Sequence, residues 1–96
     1  MTGTYSLNNL FATVLFDSGA DFSFISTKFA PLLNIRASIA NPGYIIEVAN
    51  GKKEEVDRIF WGCKLELEGS IFNIDLIPLG QGSFDVIVGM DWLSNH

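Results

Sequence analysis

A single carboxylate in this sequence stands where an apolar strand ends. Residues 10–16 are apolar or nearly so, and they run directly into Asp17, Ser18 and Gly19. Alternate side chains of an extended chain face opposite sides, so a strand that is apolar on both faces lies in the core and places Asp17 at its edge. A carboxylate there must be hydrogen-bonded, paired or used in chemistry, because burying it alone costs too much free energy. Asp17 is therefore the candidate catalytic residue.

Other polar residues have simpler interpretations. Asp-Ser-Gly is also an ordinary capped turn, so this alternative stays open for the residues from Asp17 to Gly19. Asp21, Asp85 and Asp91 are more typical of turns and helix caps than of catalysis, and Asp91 suits a helix N-terminus. Apolar and polar residues alternate around Cys63 as in a strand, and no His is near it in the sequence. Cys63 is therefore interpreted as a core residue rather than a nucleophile.

Short strands joined by tight turns are expected to position Asp17. Asn8-Asn9, Asn50-Gly51 and Glu68-Gly69 each separate two extended segments and predict hairpins. Apolar residues alternate with polar ones over residues 63–68 and 72–76, which is typical of an antiparallel sheet with one face in solvent. These patterns predict about seven strands and the all-β class.

The remaining connections are predicted to be loops and short helices. Residues 36–43, which contain Pro42-Gly43, are predicted to form a loop. Residues 28–33 are predicted to form a short helix capped by Ser26 or Thr27, and residues 90–94 one or two helical turns.

The hairpin around Asn50-Gly51 has an unusually polar returning arm. Residues 52–55 are all charged, so this arm cannot be buried on both faces. A two-stranded hairpin that projects into solvent is only marginally rigid. We expect a mobile flap here, although Asn50-Gly51 would form a turn whether or not it covers anything.

Composition limits the partners. The 96 residues predict a single domain over 1–96, and the net charge of −5 with scattered basic residues argues against direct binding of nucleic acid or of an anionic membrane. No long apolar run or basic leader is present, so neither a membrane span nor a signal peptide is expected. The 48% hydrophobic content favours a subunit interface, and Trp61 and Trp92 are interpreted as core or interface residues.

Two segments together resemble one protein family. Residues 12–21 (ATVLFDSGAD) look like the active-site strand and turn of retroviral-type aspartic proteases, and residues 84–93 (FDVIVGMDWL) are similar to their second signature. The order of the two segments, with a hairpin between them, also matches. The sequence most resembles the protease segment of plant gypsy-type LTR retrotransposon polyproteins, over nearly the whole chain.

The resemblance implies a fold and a chemistry. The fold would be a retropepsin-like acid-protease half-barrel with a flap hairpin and one or two short helices. Two carboxyls that share a proton, as is known for aspartic proteases, would activate a water against a peptide bond, without metal or cofactor. Since the chain has one Asp-Ser-Gly, the second Asp17 would come from another copy in a homodimer. The substrate would be an extended peptide of a retroelement polyprotein, and the location intracellular, in a cytoplasmic retroelement particle.

The resemblance also implies roles for individual residues. Ser18 would tie the two active-site loops together, and Gly19 would provide the turn and a carbonyl near the substrate. The substrate-binding residues would be Ala20, Asp21, Asn50, Gly51, Ile87 and Val88, with the last two lining apolar subsites or bracing the active-site loop.

The sequence departs from the family pattern at two points. Met90 stands where many retroviral proteases have an arginine that pairs with the residue matching Asp21, so Asp21 must find another partner. The sequence reaches His96 just after the expected helix, whereas those enzymes continue into a strand at the dimer interface. Two functions are therefore considered: a homodimeric aspartic endopeptidase, or a catalytically silent retropepsin-like module for dimerisation or peptide binding.

Overall fold

Six strands form a closed barrel, and a seventh strand lies outside it. The computed structural model describes residues 1–48, 50–80 and 82–96. The strands are β1 (Thr2–Leu7), β2 (Leu10–Phe16), β3 (Phe24–Ile25), β4 (Ser38–Glu47), β5 (Lys53–Leu67), β6 (Ser70–Pro78) and β7 (Val86–Val88). Their order is β1-β2-β7-β3-β6-β5-β4, and pairing of β1 with β5 closes the barrel. The prediction of an all-β chain is confirmed.

Asparagine and glycine, which adopt positive φ readily, provide three of the four residues in the two tight turns. Asn8 and Asn9 have φ of 48° and 67° between β1 and β2, and Glu68 and Gly69 have φ of 49° and 85° between β5 and β6. Turns of this kind match the right-handed twist of the strands that they join. Both hairpins that these residue pairs predicted are present.

Buried side chains from every barrel strand form the main core. It contains Leu7, Ala12, Val14, Ile25, Phe29, Ala30, Leu33, Phe60, Cys63, Leu65, Ile74, Leu76, Val86, Val88 and Trp92. A second cluster of Ile46, Ile59 and Ile77 holds the C-terminal end of β4 against the barrel. The inward positions predicted for residues 63–67 and 72–76 are confirmed.

The prediction of a loop over residues 36–43 was wrong from Ser38 onward. β4 begins at Ser38 and continues through Pro42 to Glu47. Proline lacks an N–H group and is excluded from central strands, but β4 is an edge strand and its pairing with β5 is interrupted by a bulge between Ile39 and Tyr44. The edge and the bulge make Pro42 compatible with a strand.

The helix predicted over residues 28–33 is shorter and tighter than expected. It is a 3-10 helix, Ala30–Leu33, which ends at Asn34 in the left-handed conformation with φ of 54°. The Ser26 hydroxyl accepts a hydrogen bond from the Phe29 N–H at 3.0 Å, so the predicted capping serine does hold the turn that precedes this helix.

The C-terminal helix α1 (Met90–Leu93) is one turn long, within the predicted length. Its Trp92 is buried in the core, and His96 stacks on the indole ring with a centroid distance of 4.0 Å. Trp61 is instead 56% exposed. In the ranges that the structure describes, no helix has the length and apolar character needed to cross a membrane.

Candidate active site

The backbone of Asp17 is held by the core beneath it. Asp17 follows the last residue of β2, which lies parallel to β7 with Phe16 beside Val88. The Asp17 N–H donates a hydrogen bond to the Val88 carbonyl at 2.9 Å. Because β7 is buried, this bond fixes the main chain at Asp17 while the side chain reaches the surface. Val88 itself is buried beneath the site.

A compact turn orients the Asp17 carboxylate. Oδ1 accepts a hydrogen bond from the Gly19 N–H at 2.8 Å, and the Asp17 carbonyl accepts one from Ala20 N–H at 3.2 Å. An aspartate that bonds the backbone two residues on is a common turn former. The turn interpretation and the catalytic interpretation are therefore compatible, since the same turn presents the carboxylate in a fixed direction. Ser18 is exposed within it.

A groove of about 740 Å³ opens beside this turn. It brings together five of the residues selected from the sequence: Asp17, Gly19, Ala20, Asp21 and Ile87. The end of β4 forms one side through Ile45, Ile46, Glu47 and Val48, and the segment before β7 forms another. The described part of the lining does not include Ser18, Asn50, Gly51 or Val88.

Asn50 and Gly51 lie in the turn of the β4–β5 hairpin. The hairpin pairs Glu47 with Lys53, and the Gly51 N–H donates to the Val48 carbonyl at 2.9 Å. The predicted hairpin is thus present, although Ala49, the residue before Asn50-Gly51, lies outside the described residues. The base of the hairpin is anchored by buried Ile46, whereas the residues from 50 to 55 are exposed.

A partly buried polar network joins the active-site turn to α1, and sequence reasoning missed it. Ser23, which is 0% exposed, donates from its hydroxyl to Asp91 Oδ1 at 2.7 Å. The same hydroxyl accepts the Gly89 N–H at 3.0 Å. Asp91 lies in the first turn of α1 as predicted, but its carboxylate also binds the Ser23 N–H. The sequence signal available for this network was Ser23, a single polar residue between Phe22 and Phe24.

Two backbone contacts complete this connection. The Met90 N–H donates to the Ala20 carbonyl at 2.7 Å, and the Asp91 N–H donates to the Asp21 carbonyl at 3.1 Å. Gly89 permits this approach, because a Cβ atom there would lie 2.2 Å from the Phe22 carbonyl oxygen. The segment that follows Asp17 is therefore fixed by α1.

Asp85 has a structural role, as predicted for a turn residue. Its Oδ2 accepts the Thr13 N–H at 2.9 Å, and its own N–H donates to the Thr13 Oγ1 at 3.0 Å. These two reciprocal hydrogen bonds connect the segment just before β7 to β2. The Asp85 carboxylate is thus already engaged inside the fold.

Cys63 is an inert core residue, as predicted. Burial raises the pKa of its thiol to about 11, and the nearby charge of Asp75 acts in the same direction. A thiol this weakly acidic is not a nucleophile at neutral pH. Within the described ranges, no three His, Cys, Asp or Glu side chains are grouped so that they could hold a metal ion.

Comparison with known proteins identifies the family. The family model described as retroviral aspartyl protease matches residues 1–96. The chain belongs to the retroviral aspartyl protease family. The resemblance of residues 12–21 and 84–93 to that family is thereby confirmed. No curated protein matches the chain.

Solved structures share the fold at low sequence identity. The EIAV protease complexed with an inhibitor has a TM-score of 0.76 and 21% identity, over 99% of this chain and 86% of that one. The retroviral protease-like domain of Ddi1 from Leishmania major has a TM-score of 0.72 and 16% identity, over 100% and 76%. The Simian Foamy Virus (mac) protease has a TM-score of 0.63 and 13% identity, over 100% and 98%. The predicted retropepsin-like fold with a hairpin and a short helix is confirmed.

Proposed function

We propose that this chain is one half of a homodimeric aspartic endopeptidase in which Asp17 from each copy forms the catalytic pair. The observation that carries the proposal is the placement of Asp17 on a fixed turn at the edge of the groove, beside the hairpin. The sequence contains one Asp-Ser-Gly, and the neighbouring Asp85 carboxylate is engaged by Thr13. A second copy related by a two-fold axis supplies the missing carboxyl.

The reaction needs one ionised and one protonated carboxyl. The ionised Asp17 removes a proton from a water molecule, and the water oxygen attacks the peptide carbonyl carbon. The protonated Asp17 of the other copy donates a hydrogen bond to the carbonyl oxygen. As attack proceeds, the protonated carboxyl transfers its proton to the carbonyl oxygen, which gives a tetrahedral diol. The C–N bond then breaks as the carboxyl that took the proton from water passes it to the amide nitrogen and a diol hydroxyl returns a proton to the other carboxylate. Like charges at close range favour the shared proton that this mechanism needs.

The groove and the hairpin fit an extended peptide substrate. Ile45, Ile46, Val48 and Ile87 provide an apolar surface, and buried Ile46 anchors the hairpin at its base. Its closure over a bound peptide would exclude water and add main-chain hydrogen bonds. In this proposal Ser18 connects the two active-site turns, and Asn50 and Gly51 lie at the closing tip.

The biological setting is proposed on the sequence resemblance. The substrate is the polyprotein of a gypsy-type LTR retrotransposon of plant type, in which this chain is the protease segment. Cleavage would take place inside the cell, in a cytoplasmic retroelement particle.

The test compares wild type with Asp17→Asn on an apolar peptide at mildly acid pH. Loss of the base and acid should lower kcat/KM by a factor of about 10²–10⁴ or more. Asp57→Asn is the matched control, because Asp57 is exposed outside the groove lining. Activity per chain should rise with protein concentration.

Mixing experiments test whether the site is shared. When half of the chains carry Asp17→Asn at constant total concentration, random pairing leaves about one quarter of the activity, whereas independent sites leave about one half. Full activity of Asp17→Asn would refute the proposal. A folded dimer without cleavage would instead favour the silent dimerisation or peptide-binding module.

A further inference from the structure

The groove beside Asp17 combines an apolar wall with uncompensated negative charge. We propose that it selects peptides that carry a lysine or arginine close to an apolar cleavage site, with Asp21 as the specificity-determining residue. This inference rests on the proposed function, since it concerns the substrate of the same groove. It also makes a prediction about binding that does not need catalysis.

The apolar wall provides the surface for the substrate's hydrophobic side chains. Phe22, Phe24, Ile45, Phe84 and Ile87 all line the groove. A groove of about 740 Å³ holds several side chains of an extended peptide. Burial of apolar side chains here supplies affinity, but it does not discriminate by charge.

The charged groups in the lining all have the same sign. Asp17, Asp21, Glu47 and Asp85 line the groove, and none of the six lysines and arginines is among the described lining residues. Asp17 is assigned to the chemistry, and the Asp85 carboxylate accepts the Thr13 N–H. Asp21 and Glu47 therefore remain to interact with a substrate.

Asp21 is the stronger of these two candidates. Glu47 belongs to the hairpin arm, with Lys53 as its cross-strand neighbour, whereas Asp21 belongs to the segment that follows the active-site turn. Among the residues that the structure describes, none donates a hydrogen bond to the Asp21 carboxylate or forms a salt bridge with it. The backbone of Asp21 is nevertheless fixed, because its carbonyl accepts the Asp91 N–H at 3.1 Å.

A long basic side chain matches both parts of this surface. Lysine and arginine carry an apolar stem that can lie along the phenylalanine wall while the charged head reaches a carboxylate. Charge-assisted hydrogen bonds are stronger than neutral ones, and an acidic substrate side chain would be repelled by the same groups. Because Asp21 is four residues from Asp17, this contact lies near the cleavage site.

The experiment uses three peptides that differ at one position next to the same apolar cleavage site: lysine, glutamine or glutamate. Wild type should cleave the lysine peptide with a kcat/KM about five to twenty times that of the glutamine peptide, and the glutamate peptide more slowly still. The lysine-to-glutamine ratio should decrease in 1 M salt, because the contact is exposed.

Variants assign the preference to a residue. Asp21→Asn keeps the shape of the side chain and should bring the lysine-to-glutamine ratio close to one, whereas Asp21→Glu should retain most of it. Asp57→Asn removes an equal charge outside the groove lining and should leave the ratio unchanged. If the lysine-to-glutamine ratio falls equally in Asp21→Asn and Asp57→Asn, the preference for lysine depends on net charge, and its assignment to Asp21 is overturned.

Non-cleavable copies of the peptides, with a reduced amide at the cleavage site, separate this inference from the proposed function. If wild type cleaves all three peptides equally, the inference fails and the protease proposal stands. If wild type cleaves none, the protease proposal fails. The affinities for the non-cleavable peptides then decide: a preference for lysine that Asp21→Asn abolishes supports the inference, and equal affinities overturn it.

Discussion

Replacement of Gly89 by alanine tests whether α1 positions the active-site turn. A Cβ atom at Gly89 would lie 2.2 Å from the Phe22 carbonyl oxygen and 2.8 Å from the Ala20 carbonyl oxygen. Both distances are below 3.0 Å, and Cβ atoms in proteins essentially never come that close to another heavy atom. Gly89 has φ of −101° and ψ of −172°, which any residue can adopt. The cost therefore comes from the contact and not from the backbone conformation.

The magnitude follows from what must move. To relieve the contact, α1 and the chain after Asp17 must separate by roughly 1 Å in a close-packed region. Overpacking of this kind costs about 1–3 kcal/mol. Separation also weakens the bonds from Met90 N–H to Ala20 and from Asp91 N–H to Asp21, at about 0.5–1.5 kcal/mol each. We expect Gly89→Ala to lower the free energy of unfolding by about 3 kcal/mol.

Thermal and urea unfolding, followed by the fluorescence of buried Trp92, measure this loss. A decrease of about 3 kcal/mol corresponds to a fall in Tm of at least about 12 °C for a chain of this size. Gly82→Ala is the control, since a Cβ atom there has no neighbour within 4 Å. Protein concentration must be held constant, because dimerisation would itself stabilise the fold.

The two glycine variants should differ strongly in their free energy of unfolding. If Gly89→Ala unfolds within about 0.5 kcal/mol of Gly82→Ala, the close approach of α1 to the turn does not stabilise the fold. If Gly89→Ala is destabilised but its folded fraction keeps full peptidase activity, α1 stabilises the barrel without positioning Asp17.

Two further predictions concern buried groups. Asp91→Ala leaves the Ser23 hydroxyl without its acceptor and should destabilise the fold by about 1.5–3 kcal/mol, whereas Asp91→Asn should lose less; equal urea midpoints for the two variants would contradict this. The pKa of about 11 for Cys63 predicts thiol labelling at pH 8 at least about 100-fold slower in the folded than in the unfolded protein. Because the unfolded chain releases this proton first, the free energy of unfolding should fall as pH rises from 9.0 towards 11, and this Cys63 contribution should be missing in Cys63→Ala.

Local signals explain why much of the fold is predictable. Asn8, Asn9 and Gly69 form turns because these residue types adopt positive φ readily, and the alternation over residues 63–67 depends only on neighbours in the chain. The prediction of a loop around Pro42 was wrong for the opposite reason. A proline is compatible with a strand when that strand lies at an edge, and edge position is a property of the whole sheet.

From the sequence alone, Asp17 is predictable as the end of an apolar strand and as part of a turn, because strand periodicity and turn chemistry act over a few residues. The expectation that both faces of this strand lie in the core was wrong, since only Ala12 and Val14 are buried and Phe11 is 83% exposed. The contacts that hold that turn in place depend on the tertiary structure. Ser23 and Asp91 are 68 residues apart, and Thr13 and Asp85 are 72 apart, so their hydrogen bonds have no counterpart in any local pattern. The groove likewise exists because barrel closure and the hairpin bring distant segments together, and that assembly of contacts makes one carboxylate a candidate site.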